Sequence, residues 1–244
     1  MSSLLFMKTS VDKILTLGAI DVVTINKGIP RFVEALIAAI ALACLTPFIL
    51  VAALAVALTS RGPVIFRQRR IGLGGQSFVL YKLRTMRDSS DGTELTSTND
   101  QRVTGVGKIL RKTKLDELPE LWNVIKGDMS LVGPRPEVPR YVDPANPYWA
   151  VVLLARPGLT DPVTMRLRNE EELLQQVKGD REHFYLDVLQ PLKLKGYADY
   201  LEMRSWSGDV RILWHSALAV VLPSKVRPLS VKDVITEGLG QPAK

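Results

Sequence analysis

From Ala35 to Ser60 the chain carries no charged residue, and the stretch "LIAAIALACLTPFILVAALAVAL" (36–58) is almost wholly apolar. A run of that length suffices to cross a bilayer, which takes about 20 apolar residues. A buried core helix is the competing reading. Thr46-Pro47 falls at its middle, where proline removes a backbone donor, crowds the preceding turn and kinks a helix. Both flanks are basic, with Lys27 and Arg31 before and Arg61, Arg67, Arg69 and Arg70 after. Basic flanks favour the cytoplasmic side. A helix over 31–61 that enters, bends at Pro47 and returns to the same face satisfies both flanks, and a straight crossing does not. The Thr46 hydroxyl is the nearby donor for a carbonyl freed at the bend.

Elsewhere the pattern shortens. "ILWHSALAVVL" (212–222) has 11 residues before Pro223, too few to span, and reads as a core or interfacial helix begun after the "SWSGD" turn. "PVIFRQRRIG" and "SFVLYKLRTM", separated by "LGGQ", predict a β-hairpin. On its second strand Lys82 and Arg84 are two apart and share a face, where an anion between them would relieve their repulsion. Gly72, Gly74 and Gly75 are not a dinucleotide loop, because no helix and no acidic partner follow. Residues 88–101 are a small, polar loop. "VTGVGKILRKTKL" (103–115) predicts a helix with a basic face.

Thr113 and Asp116 match a capping-box pattern for a following helix, with Pro119 in its first turn. "RPGLTDPVTMRLRNEEELLQQV" reads as a turn and an amphipathic helix whose Glu170–Glu172 run is an exposed helix start. "FYLDVLQPLKLKGYADYLEMRSW" adds further apolar–aromatic periodicity. The expected fold is α/β, mainly helical with a small β-hairpin or sheet, carrying a re-entrant membrane helix and interfacial amphipathic helices on a cytosolic domain. Its expected parts are an N-terminal extension (1–30, an interfacial helix), the membrane helix (31–61), a catalytic domain (62–223) and a tail (224–244).

Composition narrows the partners. The 244 residues are 46% hydrophobic and carry a formal charge of +7, which favours an anionic partner: nucleic acid, lipid headgroups or a phosphorylated substrate. The basic residues are scattered over strand, loop and helix with no nucleic-acid module, so nucleic acid is excluded. The single cysteine, Cys44, lies in the apolar run and cannot form an internal disulfide. His183 and His215 are far apart in sequence and read as packing or surface residues.

The chemistry concentrates in "LRKTKLDELPELWNVIKGDMSLVGPRPE" (110–137), where Asp116 and Glu117 stand beside Arg111, Lys112 and Lys114. Pro134 and Pro136 stiffen the chain on either side of Arg135, which suits a guanidinium meant for bidentate phosphate contact. With "SRGPVIFRQRRIG", "FVLYKLRTM" and "RPGLTD", this segment resembles the bacterial sugar transferases, in the small, membrane-hairpin form of the monotopic polyprenyl-phosphate phosphoglycosyl transferases. The motifs follow the family's order from about residue 31 to 222, with Thr-Pro where the family usually has Ser-Pro. After "PGLT" the text departs from the family's commoner Gly-Trp continuation.

The resemblance implies transfer of a sugar-1-phosphate from a UDP-sugar to polyprenyl phosphate through a covalent aspartyl intermediate, with release of UMP. It places this at the cytoplasmic face of a bacterial inner membrane, as the first membrane step of polysaccharide or glycoconjugate assembly. Asp116 and Glu117 match the catalytic dyad, and Mg²⁺ is implied with Asp116 as a ligand. Lys82, Arg111 and Arg135 match the phosphate-contacting cations, and Arg84 lies in the same motif. The partners so implied are UDP-sugar, polyprenyl phosphate and membrane lipid, with room for a homodimer. A carboxylate can serve as a covalent nucleophile, and attack on a polyanion needs cations around it. Those cations are expected to hold Asp116 ionised. Two other readings compete: a non-enzymatic scaffold binding anionic lipid, with the dyad merely salt-bridged, and a UDP-releasing glycosyltransferase.

Overall fold

The computed structural model describes residues 27–87, 100–167, 169–177, 179–221, 229–230 and 233–234. The N-terminal extension, most of the 88–101 loop and most of the tail lie outside them. The described part is mostly helical with two small sheets, as the sequence pattern suggests.

The uncharged run forms α1 (Arg31–Thr59), which stays helical across Pro47. The Thr46 hydroxyl donates to the Leu42 carbonyl at 2.6 Å. The carbonyl that proline leaves without a donor belongs to Ala43, four residues before it, so Thr46 serves its neighbour instead. Two patches of α1 are fastened to the rest. At its start, Arg31 donates to the carbonyls of Val124 and Ile125, and the buried Glu34 accepts the Leu131 N–H at 3.0 Å. Ala38 packs beside Leu121 and Val124. At its end, Ala52 and Val56 pack with Leu83 and Leu110. Along its length α1 also exposes large apolar side chains, among them Phe32, Leu36, Ile40, Phe48, Val51, Leu54 and Leu58.

β1 (Ile65–Ile71) and β2 (Ser77–Leu83) form the predicted antiparallel hairpin, with Phe66 opposite Lys82. α2 (Gly105–Thr113) starts at Thr104, whose hydroxyl accepts the Gly107 N–H. A Cβ at Gly107 would stand 2.1 Å from the Thr85 carbonyl oxygen, so only glycine lets α2 lie this close to the end of β2. The capping expectation at Thr113 is corrected: its hydroxyl bonds back to the Ile109 carbonyl at 2.8 Å, inside α2. The break comes one residue later, at Lys114, whose φ of 58° is left-handed. A 3₁₀ turn over Leu115–Glu117 follows, then α3 (Glu120–Lys126) with Pro119 immediately ahead of it.

β3 (Ser130–Val132) pairs in parallel with β4 (Gly158–Thr160), a sheet the hydrophobic pattern does not reveal. α4 (Pro147–Val152) lies between them in sequence. The expected single helix after "RPGLTD" is two, α5 (Pro162–Arg166) and α6 (Glu170–Gln176). Asp161 starts the first, accepting the Thr164 N–H at 2.6 Å. α7 (Arg181–Phe184) runs through a π turn over Tyr185–Leu189 into α8 (Gln190–Glu202). α9 (Trp206–Val221) begins within "SWSGD" and exposes Trp206, Val210 and Trp214.

Asp209, fully buried on α9, ties three elements together. It accepts from Ile29 N–H just ahead of α1 (3.2 Å), from the Tyr200 hydroxyl (2.7 Å) and from Arg204 (3.2 Å). Arg204 also donates to the Val132 carbonyl of β3. Removing one partner of a buried pair strands the other charge. Asp209→Ala is therefore expected to cost about 3–5 kcal/mol, and Tyr200→Phe about 1 kcal/mol, measured by unfolding of the detergent-solubilised protein. Equal losses would show that the Arg204 pair does not carry this corner.

Candidate active site

The left-handed Lys114 turns the chain so that Asp116 and Glu117 occupy a short 3₁₀ turn between α2 and α3. A non-glycine residue in this region carries a strain of order 1 kcal/mol. Asp116 is buried at 6% exposure, and its Oδ1 has no hydrogen-bond partner. Glu117 Oε1 is the meeting point of the cations: Arg135 at 2.6 Å, Lys82 at 3.0 Å and Lys114 at 3.7 Å. Lys82 also lies 3.1 Å from Glu120.

The electrostatics correct one expectation. Burial raises the Asp116 pKa and the charge of Glu117 adds to the rise, while Lys82, Lys114 and Arg111 offset only part of it. The cations are instead committed to Glu117. Burial raises that carboxyl too, but Arg135, Lys82 and Lys114 outweigh it and hold it well below the usual carboxylate range. The two acids of the dyad are thus driven apart, one toward neutrality and one firmly ionised.

Arg135 is held by three elements. Gly158 N–H donates to the Pro134 carbonyl at 2.9 Å, and Gly133 N–H to Thr160 at 3.1 Å, which lashes the Pro-Arg-Pro loop to β4. A Cβ at Gly158 would sit 2.1 Å from the Gly133 nitrogen, so the "RPGLT" glycine is what allows this approach. From β1, Arg70 donates to the Pro136 carbonyl at 3.1 Å and Ile71 N–H to Glu137 at 2.9 Å. The Tyr185 hydroxyl donates to Glu137 from the π turn.

Lys82 is positioned by Asn123, a fully buried residue of α3. Its side chain donates to the Val79 carbonyl (2.7 Å) and accepts from Tyr81 N–H (3.2 Å), pinning β2 to the helix that follows the dyad. Asn123, Glu137 and Tyr185 are not among the residues the sequence singles out, and Arg70 figures there only as a basic flank of the apolar run. Asn123 and Glu137 lie within the motif-bearing segment, and a buried amide or carboxylate there is the signal that could have marked them.

The remaining candidate cations are placed apart. Arg111 donates to Thr85 (3.0 Å) and pairs with Glu171 (2.7 Å). Glu170 pairs with buried Lys193 at 3.3 Å. The acidic run does open α6, but two of its three carboxylates reach back to cations, so it is more than an exposed helix start. Arg84 is buried and donates to the carbonyl and hydroxyl of Ser60 (2.8 and 2.9 Å), at the end of α1. Its Nε and Nη1 have no hydrogen-bond partner. Lys82 and Arg84 thus take protein partners in different places. His183 and His215 are exposed, the former paired with Asp187. Thr46 and Pro47 lie in α1, where Thr46 bonds within the helix. Among the described residues no group of three or more His, Cys, Asp or Glu side chains is placed to hold a metal.

Residues 25–223 match the model of a family described as bacterial sugar transferase. A UDP-glucose:undecaprenyl-phosphate glucose-1-phosphate transferase of Caulobacter vibrioides is 40% identical over 188 residues, 75% of this chain and 66% of that protein. An Escherichia coli K12 protein of the same description is 44% identical over 197 residues, 78% of this chain and 39% of that one. A UDP-N-acetylgalactosamine-undecaprenyl-phosphate N-acetylgalactosaminephosphotransferase of Aeromonas hydrophila is 41% identical over 149 residues, 59% of this chain and 35% of its own length. The chain spans less than two thirds of each of these relatives. With a family match over most of its length, and with Lys82, Glu117 and Arg135 of its motifs brought together beside Asp116, the chain belongs to the bacterial sugar transferase family.

Proposed function

We propose that this protein transfers a sugar-1-phosphate from a UDP-sugar to polyprenyl phosphate. The observation that carries the reading is Asp116 itself: a buried carboxylate with one oxygen uncommitted, beside a second carboxylate that holds Lys82 and Arg135 in place. The relatives' names supply the substrate class, a UDP-sugar and undecaprenyl phosphate.

In the first half-reaction, an Asp116 oxygen attacks the sugar-bearing phosphorus of the diphosphate. The new O–P bond forms as the bridging P–O bond breaks, and UMP leaves with that electron pair. In the second, an oxygen of polyprenyl phosphate attacks the same phosphorus. The Asp116 O–P bond breaks, the carboxylate is regenerated, and the lipid carries the diphosphate-linked sugar. Lys82 and Arg135 neutralise the phosphates, with Arg111 reaching them once Glu171 gives way and Arg84 able to offer its uncommitted donors. Such positioning and charge stabilisation supply most of the rate in phosphoryl transfer. Burial, the main cause of the raised Asp116 pKa, leaves the ionised form poorly solvated, and its Oδ1 accepts no hydrogen bond that would blunt an attack.

The residues also fit Mg²⁺. That ion uses one or two carboxylates with substrate phosphates and waters, so the uncommitted Asp116 Oδ1 meets its need without a larger acidic cluster. When bound it neutralises charge on the diphosphate.

The reading places the protein at the cytoplasmic face of a bacterial inner membrane, at the start of polysaccharide or glycoconjugate assembly, with α1 re-entrant. Three features support this. α1 is 29 residues long, about 43 Å if straight, yet both its ends are fastened to the same catalytic body by Arg31, Glu34 and Val56. A crossing would carry those ends to opposite sides of the bilayer. α1 exposes large apolar side chains from Phe32 to Leu58, and contiguous apolar surface marks a contact with lipid or protein. Trp206, Val210 and Trp214 recur every four residues on α9, and tryptophan favours the bilayer interface. On this reading the parts are the membrane helix (31–61), the catalytic domain (62–223) and two flanking segments.

The test is purified protein in nanodiscs with Mg²⁺, undecaprenyl phosphate and UDP-glucose, UDP-galactose or UDP-N-acetylgalactosamine. UMP release by the wild type and its loss in Asp116→Asn, by at least 10³-fold (on the order of what a missing nucleophile costs), is the expected result. Release of UDP would mean an ordinary glycosyltransferase, and no turnover would favour the lipid-binding scaffold. Arg135→Ala, which removes a phosphate-neutralising charge, should lower kcat/KM for the nucleotide sugar, with kcat falling as well. For topology, Lys27→Cys and Arg61→Cys, each in a Cys44→Ser background, should both be labelled by an impermeant maleimide from the cytoplasmic side. Labelling from opposite sides would overturn the re-entrant reading.

A further inference from the structure

Glu120 lies in the first turn of α3, three residues after Glu117 and four after Asp116. The backbone of Leu118 and Pro119 between them is helical, so all three carboxylates are neighbours on one coil of chain. Glu120 is only 2% exposed. Its Oε1 lies 3.1 Å from Lys82 Nζ but is not aligned as a hydrogen bond, so the contact is an attraction between charges.

A buried carboxylate with so little directional bonding is costly. Were it there for packing, an apolar side chain of similar volume would serve stability as well or better. What distinguishes Glu120 is the cation it faces. Lys82 is a point charge on a flexible four-carbon stem. Its other carboxylate, Glu117, is shared with Arg135 and Lys114 through the same oxygen. Any phosphate that binds Lys82 and Arg135 competes with Glu117 for their protons. In the proposed reaction two different anions arrive in turn, a diphosphate and then a lipid phosphate. Without a second anchor Lys82 would follow whichever anion is strongest.

We propose that Glu120 is a positioning residue that keeps Lys82 at the phosphate subsite through both half-reactions, while Glu117 exchanges partners with the incoming phosphates. This rests on the transferase reading above. Burial raises the Glu120 pKa and Glu117 adds to the rise, while Lys82 and, less strongly, Arg135 oppose it, so Lys82 is the main partner favouring its charged form.

The experiment is a double-mutant cycle on the full chain in nanodiscs with Mg²⁺ and undecaprenyl phosphate, following UMP release from the same UDP-sugars. Glu120→Gln preserves shape and removes the charge. It should lower kcat/KM by about tenfold, within the range of coupled neighbours, with an unfolding temperature equal to or above the wild type. In a Lys82→Met background the same substitution should change neither kcat nor KM further. Wild-type activity in Glu120→Gln, or an equal loss on top of Lys82→Met, would overturn the inference while leaving the transferase intact. A lowered unfolding temperature with independent losses would likewise overturn it, by assigning Glu120 to the scaffold. A wild type that releases no UMP from any of the three sugars would sink the parent reading, and this one with it.

Discussion

One oxygen of Glu117 governs the architecture of the site. Lys82 comes from a hairpin strand, Arg135 from a proline-bounded loop and Lys114 from the break between two helices, and all three converge on it. Cations brought this close repel one another unless an anion stands between them, and the repulsion strengthens as water is excluded. Glu117 supplies that anion without being consumed by Asp116, whose own oxygen is left bare. A pair of adjacent acids therefore divides its labour by environment. One gathers the positive charge and the other is desolvated beside it.

Much of the remaining structure serves to deliver these three cations. Asn123 fastens β2 to α3, which sets Lys82. The parallel pair β3–β4 and the glycine at 158 lash the Pro-Arg-Pro loop down, while Arg70 and Tyr185 hold its far end through Pro136 and Glu137. Gly107 lets α2 press against Thr85, which in turn accepts from Arg111. The motifs separated along the chain are thus parts of one mechanical frame. Each conserves a geometry that a single stretch could not hold alone, because loop carbonyls need donors from another element.

This explains what could be read from the sequence and what could not. Local signals were legible: the hairpin from its β-formers around "LGGQ", the long helix from its uncharged run, and Asp116, Glu117, Lys82 and Arg135 from their motifs. Non-local partnerships were not. Nothing in "NEEELL" says that Glu171 meets Arg111 sixty residues away, or that Arg84 turns toward Ser60 rather than toward Lys82's partners. Strands of three residues, such as β3 and β4, carry too little periodicity to distinguish from loop. The Thr113 cap failed because a hydroxyl near a helix end can bond backward to its own helix as readily as forward, and Lys114 took the strained turn instead. The Asp116 pKa moves up rather than down for a related reason: counting nearby cations leaves out burial and the charge of Glu117, the acid those cations touch.

The same frame bears on the membrane. Arg31 and Glu34 fasten the start of α1 to α3 and β3, the elements beside the dyad, and Arg84 fastens its end to the strand that carries Lys82. On the proposed reading, the lipid phosphate must reach Asp116 from the bilayer while the nucleotide sugar arrives from water. An acceptor anchored by a long hydrocarbon tail cannot rise far above the interface, since each buried methylene resists extraction by about 0.8 kcal/mol. The nucleophile must therefore be lowered to the lipid surface. On that reading, a helix bound to the catalytic body at both ends, with its free face apolar, would do that without sending any part of the body across. Membrane attachment and catalytic geometry are then one constraint, and the residues that seat α1 on the domain also fix the height at which Asp116 works.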